Sequence, residues 1–196
     1  MIDTSQIDKA VTILKNGGVI ILPTDTVWGI GAELDRPDAI KRLYQLKGRE
    51  ANKPTAVLVA EMLVANRLGI ITPQAAKLIE QFWPGGLTLV VKARPGVPAV
   101  ILGLGETIGL RQPNHPLALA LLKKLNIGLV TASANFANQP APTQKELIDQ
   151  ALIDQVDLVL EGEAEGKSPS TVVDTTISPF KIIREGEIKI NKIPNF

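Results

Sequence analysis

Four side chains in two short segments have the types and spacing for joint chemistry: Lys47 and Arg49 in KGREANKP, and Ser133 and Asn135 in TASANFANQPAP. A lysine and an arginine two residues apart set a point charge beside a planar fork, a combination suited to a polyanion such as a nucleoside triphosphate. Ser-x-Asn adds a hydroxyl and an amide that complete a shell around phosphate or carboxylate oxygens. Taken singly, each reads more plainly. Cations past a helix C-terminus complement the helix dipole, and Ser and Asn form turns. Thr24-Asp25-Thr26 reads as a loop held by side-chain to backbone bonds, Arg111 as an edge charge beside Pro113, and Ser170-Thr171 as the start of an edge strand. What joins these clusters is position: nearly all lie at predicted strand or helix ends, where ligands of sheet-containing folds commonly sit.

The elements that must position them follow from periodicity. Between Gln6 and Asn16, Ile7, Ala10, Val11 and Leu14 share one helical face, and Gly17-Gly18 ends the helix. Val19 to Leu22 reads as a buried strand. Asp35 is placed to cap a helix running to about Leu46, with Ile40, Leu43 and Tyr44 inward, so Lys47 falls at a helix end. A strand follows from Thr55 to Val59 and a helix from Glu61 to Leu68. Thr72-Pro73 is a cap and first turn for a helix to Phe82, and Trp83-Pro84-Gly85-Gly86 turns the chain into a strand from Leu87 to Lys92. On a strand from Thr107 to Arg111, Thr107, Gly109 and Arg111 share a face. Pro116 opens a helix to Leu125, and Ile127 to Thr131 is a strand that delivers the Ser133 loop. Thr143-Gln144-Lys145-Glu146 has the form of a capping box. Val156 to Leu160, Thr171 to Asp174 and Lys181 to Arg184 are further strands, and the polar stretch from Gly162 to Pro169 reads as a mobile loop.

Strands and helices alternate at first and strands then dominate. The expected fold class is α/β of the mixed α+β kind: a twisted open sheet of parallel and antiparallel strands flanked by helices. With 196 residues, 45% hydrophobic, the chain has ample material for a core. Its formal net charge of +1 advertises no global field for nucleic acid. The absence of cysteine excludes a disulfide scaffold, thiol catalysis and zinc-cysteine sites. No P-loop motif occurs, and Gly29-x-Gly31 lacks the third glycine, at Leu34, of a dinucleotide fingerprint. The one histidine, His115 before Pro116, excludes multi-histidine metal clusters and reads as a capping or packing residue, with no G-x-S-x-G nearby to supply a serine nucleophile. No secretory signal or apolar run of membrane-spanning length appears, so a cytoplasmic protein is the expectation.

Taken together, GGVIILPTDTVWGIG, LKGREANKP, FWPGGLTLVV, TIGLRQPNHP, LVTASANFANQPAPT, SPSTVVD and IIREGEI resemble the YrdC/Sua5 family in order and over essentially the whole chain. The resemblance implies one YrdC-like domain across residues 1–196, with its core at about 6–186, in the short form without a further C-terminal domain. It implies a synthase that carboxylates the amine of L-threonine with bicarbonate or CO2 and joins it to the α-phosphorus of ATP. Pyrophosphate leaves, and threonylcarbamoyl-adenylate forms for the modification of tRNA. By motif match, Lys47 and Arg49 meet the triphosphate and the carboxylated amine, with the backbone of Ala51. Ser133 and Asn135 bind phosphate, with Thr107 and the Ala141 backbone nearby. Thr24, Arg111, Thr131 and Ser170 surround threonine, Arg111 pairing with its carboxylate, and Arg184 covers the nucleotide. Magnesium would ride with ATP, no acidic cluster marking a dedicated metal cage. Contact with tRNA or double-stranded RNA and hand-over to a threonylcarbamoyl transferase complex are also implied. Glu50, Ala137 and Asn138 depart from the usual proline and Ser-Gly of the family. The rivals are a YciO-like paralogue, an RNA-binding module lined by Lys47, Arg49, Lys53, Arg111 and Arg184, and a carbamoyl-transfer accessory domain.

Overall fold

The apolar positions 7, 10, 11 and 14 form the buried face of α1 (Thr4–Lys15), and Gly17, at φ 82°, takes the left-handed turn that leads out of the helix. The computed structural model describes residues 4–48, 55–102 and 105–190. β1 (Val19–Leu22) is buried throughout and pairs antiparallel with β2 (Gly29–Glu33). α2 (Pro37–Leu46) begins two residues beyond Asp35, which does not cap it. Arg36 holds the cap position without a side-chain capping bond, and Pro37, with its preset φ, opens the first turn. Then come β3 (Ala56–Leu58), α3 (Met62–Leu68), β4 (Gly69–Ile70) and α4 (Pro73–Phe82). β4 is too short for alternation to reveal. The α4 cap forms as expected, Thr72 Oγ1 accepting from the Ala75 N–H at 3.2 Å.

β5 (Leu87–Ala93), β6 (Thr107–Arg111), α5 (Pro116–Leu125) and β7 (Leu129–Ser133) complete the centre. His115 caps α5, its Nδ1 accepting from the Ala118 N–H at 3.4 Å. β7 starts two residues later than its apolar run suggests, because Asn126 closes α5 in the left-handed conformation and the chain needs Ile127 and Gly128 to return to the sheet. The capping box at Thr143 does not form. A single 3-10 turn spans Lys145–Leu147, and α6 (Gln150–Ile153) is capped by Asp149, which accepts from the Ala151 N–H at 2.9 Å. β8 (Leu158–Val159), β9 (Thr171–Asp174) and β10 (Lys181–Arg184) follow.

Among the described residues the strands form one sheet in the order β10-β9-β5-β6-β3-β7-β2-β1-β8, with β4 on β5. β1/β8, β3/β6 and β5/β9 run parallel and the other pairs antiparallel, the mixed sheet expected. On one face, residues such as Leu89, Leu110, Val57 and Val130 pack with Ile40 and Leu43 of α2, Ala65 of α3 and Leu78 of α4. On the other face, Ile20, Leu22, Leu58 and Leu129 pack against α1 and α5 through Leu14, Leu121 and Leu122. Among the described residues that helix pair reaches only as far as β3, and no helix lies above the same face of β6, β5 and β9.

The stretch from Gly162 to Pro169 is tied down, contrary to the mobile loop its composition suggests. The Glu165 N–H donates to Thr24 O at 3.1 Å. Glu187 Oε2 accepts from the N–H groups of Lys167 and Ser168 at 3.3 and 3.1 Å, and from Ser168 Oγ at 2.9 Å. At Gly166 a β-carbon would fall 2.6 Å from Thr26 Cα, so a glycine is what lets the two backbones approach. No helix of the described residues is long and apolar enough to cross a membrane.

Leu121 is 0% exposed and Leu147 62% exposed. Leu121→Ala should lower unfolding free energy by about 2–5 kcal/mol, and Leu147→Ala should stay within about 0.5 kcal/mol, both read from urea denaturation.

Candidate functional site

Period-2 alternation sends every second side chain of the uncovered strands to the same side. Val172 and Asp174 of β9, Thr88 and Val90 of β5, and Thr107 and Arg111 of β6 all face a cavity of about 450 Å³, a size usual for small-molecule sites. Gly109, between Thr107 and Arg111, keeps the floor low, since a β-carbon there would stand 3.3 Å from Thr88 Cγ2. The far wall carries Thr131 and Ser133 of β7, and the loop after β1 contributes Thr24 and Thr26. Ser170 and Arg184 close the near wall.

Arg111 is 6% exposed. Its Nη2 donates to Asp25 Oδ1 at 2.5 Å, its Nη1 to Thr26 Oγ1 at 2.9 Å and its Nε to Gly85 O at 3.0 Å. Thr26 is itself oriented by Thr24, whose hydroxyl lies 3.1 Å from its own and donates at 2.7 Å to Val27 O. Burial pulls the guanidinium below its ordinary pKa, and the charge and hydrogen bond of Asp25 pull it back up. A guanidinium has five N–H donors. The three bonds above leave two of them with no partner among the described residues, on a side chain that lines the cavity.

Across the cavity, Ser170 Oγ lies 2.8 Å from Thr88 Oγ1, and Arg184 donates to the Ser170 carbonyl from Nε at 3.1 Å and Nη2 at 2.8 Å. Arg184 is thereby held at the cavity mouth on the outermost strand of this side, beside Ile183.

Lys47 and Asn135 stand behind the Ser133 wall. The buried Lys47 ammonium donates to the carbonyls of Ser133 and Asn135 and, at 3.3 Å, to Asn135 Oδ1. Asn135 Nδ2 in turn donates to Phe136 O at 3.1 Å and Gln139 O at 2.6 Å. The Ala137 N–H closes the clamp on Lys47 O at 2.8 Å. A lysine has three donors, and here they meet three oxygens of one loop. Lys47 thus fixes the backbone that carries Ser133. Asn138, where the family usually has glycine, takes φ 67°, and asparagine is among the residues that tolerate this left-handed region.

Of the residues singled out in the sequence, Thr24, Thr107, Arg111, Thr131, Ser133, Ser170 and Arg184 line one cavity. Lys47 and Asn135 brace its wall. Ala141 lies in the adjoining loop, next to Pro142, whose carbonyl accepts from the Trp28 N–H at 2.9 Å. Arg49 and Ala51 lie outside the described residues, as do Glu50 and Lys53. Sequence reasoning passed over Asp25 as the partner of Arg111, and Thr88 and Asp174 as cavity residues. Strand alternation on Leu87–Lys92 and Thr171–Asp174 was the signal that carried Thr88 and Asp174. The Asp25 pairing spans 86 positions and has no local signal.

Comparison with known proteins gives the family and the fold. The sequence model of the Sua5/yciO/yrdC family, described as Telomere recombination, matches residues 12–186. The chain belongs to that family. It is 35% identical over 192 residues to the threonylcarbamoyl-AMP synthase of Bacillus subtilis, covering 96% of this chain and 55% of that protein. The crystal structure of Pyrococcus abyssi Sua5 complexed with L-threonine superposes with a TM-score of 0.90 at 32% identity, over 95% of this chain and 55% of the other. The crystal structure of Escherichia coli YciO does so with a TM-score of 0.87 at 28% identity, over 94% and 90%. The chain therefore spans about half the length of the first two.

Removing one member of a buried ion pair leaves the other charge uncompensated. Asp25→Ala should cost about 3–5 kcal/mol of stability, whereas Asp25→Asn, which keeps an acceptor for Arg111, should cost clearly less. Parallel urea titrations of the two variants would show the order.

Proposed function

We propose that this chain is a threonylcarbamoyl-AMP synthase, a nucleotidyltransferase that forms threonylcarbamoyl-adenylate and pyrophosphate from L-threonine, bicarbonate or CO2, and ATP. The observation that carries the reading is Arg111: a buried guanidinium, braced by Asp25, Thr26 and Gly85, with two donors left for a ligand in a hydroxyl-lined cavity. Paired N–H donors on one planar fork match a carboxylate. The family, the naming of the Bacillus subtilis relative and the L-threonine complex of the Pyrococcus abyssi relative support threonine as the carboxylate's owner.

In this reading Arg111 anchors the threonine carboxylate while the hydroxyls of Thr24, Thr131 and Ser170 surround the rest of the amino acid. The threonine amine adds to CO2 and loses a proton to give a carbamate. A carbamate oxygen then bonds to the α-phosphorus of ATP as the bond to pyrophosphate breaks. A carbamate decomposes in water, so the cavity's part is to hold it out of solvent and in line with the phosphorus. Ser133 presents its hydroxyl to the phosphates from a loop that Lys47 and Asn135 hold rigid, and Arg49, Ala51 and Ala141 belong to the same phosphate-binding set. Thr107 borders that side and Arg184 covers the nucleoside. Charge neutralisation and positioning contribute most of the rate enhancement in such phosphoryl chemistry. Magnesium supplies part of that neutralisation when bound. The ion would be carried by the phosphates themselves. The product is labile and calls for direct hand-over to a transferase acting on tRNA in the cytoplasm.

With ATP, magnesium and bicarbonate, pyrophosphate release should depend on L-threonine. Arg111→Ala and Lys47→Ala should each lower it at least about tenfold, the scale of losing a charge-assisted contact. ATP binding without threonine-dependent release would instead favour a YciO-like paralogue. Activity within about threefold of the parent in either variant would remove that residue from the site.

A further inference from the structure

Asp174 is the one carboxylate facing the cavity from its strands among the described residues, and neither the threonine nor the phosphate assignment uses it. It ends β9, opposite Val90. Its Oδ1 accepts from the Thr176 N–H at 2.9 Å and from Thr176 Oγ1 at 2.6 Å, which fixes the rotamer. Its Oδ2 has no hydrogen bond or ion pair among the described residues. A carboxylate oxygen that is aimed into the cavity, held and left without a partner among the described residues is placed to accept from a ligand's hydrogen-bond donor.

Position decides which donor. Val90 pairs with both Asp174 and Gly109, so Asp174 is level with Gly109 and two strands across from it, about 10 Å away at the usual strand spacing. The Arg111 guanidinium points further off, to Asp25, Thr26 and Gly85. Arg111 lies two residues further along β6 than Gly109, so an amino acid gripped by its guanidinium lies to that side of Asp174. The Ser133 wall on β7 is four strand spacings from β9, about 19 Å measured along the sheet, so a triphosphate seated at Ser133 leads its nucleoside towards β9. Phosphates are acceptors and would be repelled. The ribose offers two adjacent hydroxyls, a donor pair that a carboxylate suits.

We propose that Asp174 is a nucleoside-recognition residue that accepts hydrogen bonds from the ribose hydroxyls of ATP. The assignment rests on the reading of this cavity as the ATP site. It makes the protein selective for ribonucleotides over deoxyribonucleotides through a residue outside both the lysine-arginine and the serine-asparagine segments.

The test is equilibrium binding of ATP, 2′-deoxy-ATP, 3′-deoxy-ATP and ITP to the parent protein, Asp174→Ala and Asp174→Asn, with pyrophosphate release measured alongside. Asp174→Asn keeps an oxygen for the Thr176 turn, so it separates ligand recognition from local structure. The parent should prefer ATP to one or both deoxy analogues by about tenfold, the scale of a hydrogen bond to a charged group. Asp174→Ala should compress that preference to within about threefold, with the ATP-to-ITP ratio unchanged. An unchanged ribose preference in both variants overturns the proposal. So does a change confined to the ATP-to-ITP ratio, which would assign Asp174 to the base, or to the magnesium requirement, which would make it a cation ligand. A parent that binds no ATP overturns the synthase reading as well. A parent that turns over ATP with unaltered ratios in the variants overturns the Asp174 assignment alone.

Discussion

A sheet this wide has two faces to cover, and its helices cover one of them and part of the other. α2, α3 and α4 shield the first face through Ile40, Leu43, Ala65 and Leu78. α1 and α5 shield the second only from β8 to β3, through Leu14, Leu121 and Leu122. The side chains at and past that boundary are what a partly open face requires. Leu58 and Leu129 pack under the helices, while Thr88, Thr107, Thr131 and Ser133 present hydroxyls to the cavity. The site lies over the uncovered strands β6, β5 and β9, with the end of β7 and the loop after β1 as its far wall, and its floor is as rigid as the hydrogen-bonded ladder beneath it.

Charge in that cavity is held by paired devices. Arg111 is buried enough to be costly alone, and Asp25 offsets that cost while orienting the fork. Lys47 directs its donors to the Ser133 and Asn135 oxygens, turning a sequence motif with the look of a phosphate contact into the brace of a loop. Arg184 is aimed by the Ser170 carbonyl. Each cation is oriented by an oxygen before any ligand arrives, the preorganisation that makes electrostatic stabilisation effective.

Much of this was legible in the sequence wherever the signal is local. The α1 face, the Thr72 cap, the His115 cap and the shared face of Thr107, Gly109 and Arg111 all follow from periodicity or a single turn. The misses have physical reasons. Asp35 and Thr143 have capping chemistry, but the helix after Asp35 starts later, at Pro37, and only a 3-10 turn follows Thr143. The Gly-rich stretch from 162 to 169 looks mobile by composition, and Glu187 and Thr24 tie it down from distant points in the chain. The Asp25 to Arg111 pair and the Lys47 clamp depend on strand order, which pattern alone does not supply.

The central claim is that the two donors left on Arg111 hold an amino-acid carboxylate. Calorimetric titration of L-threonine against L-threonine methyl ester tests it directly, because esterification removes the carboxylate charge and leaves the amine and hydroxyl. Saturable binding of L-threonine with at least about tenfold weaker binding of the ester is the predicted result. Equal affinities would contradict it and take the carboxylate away from Arg111.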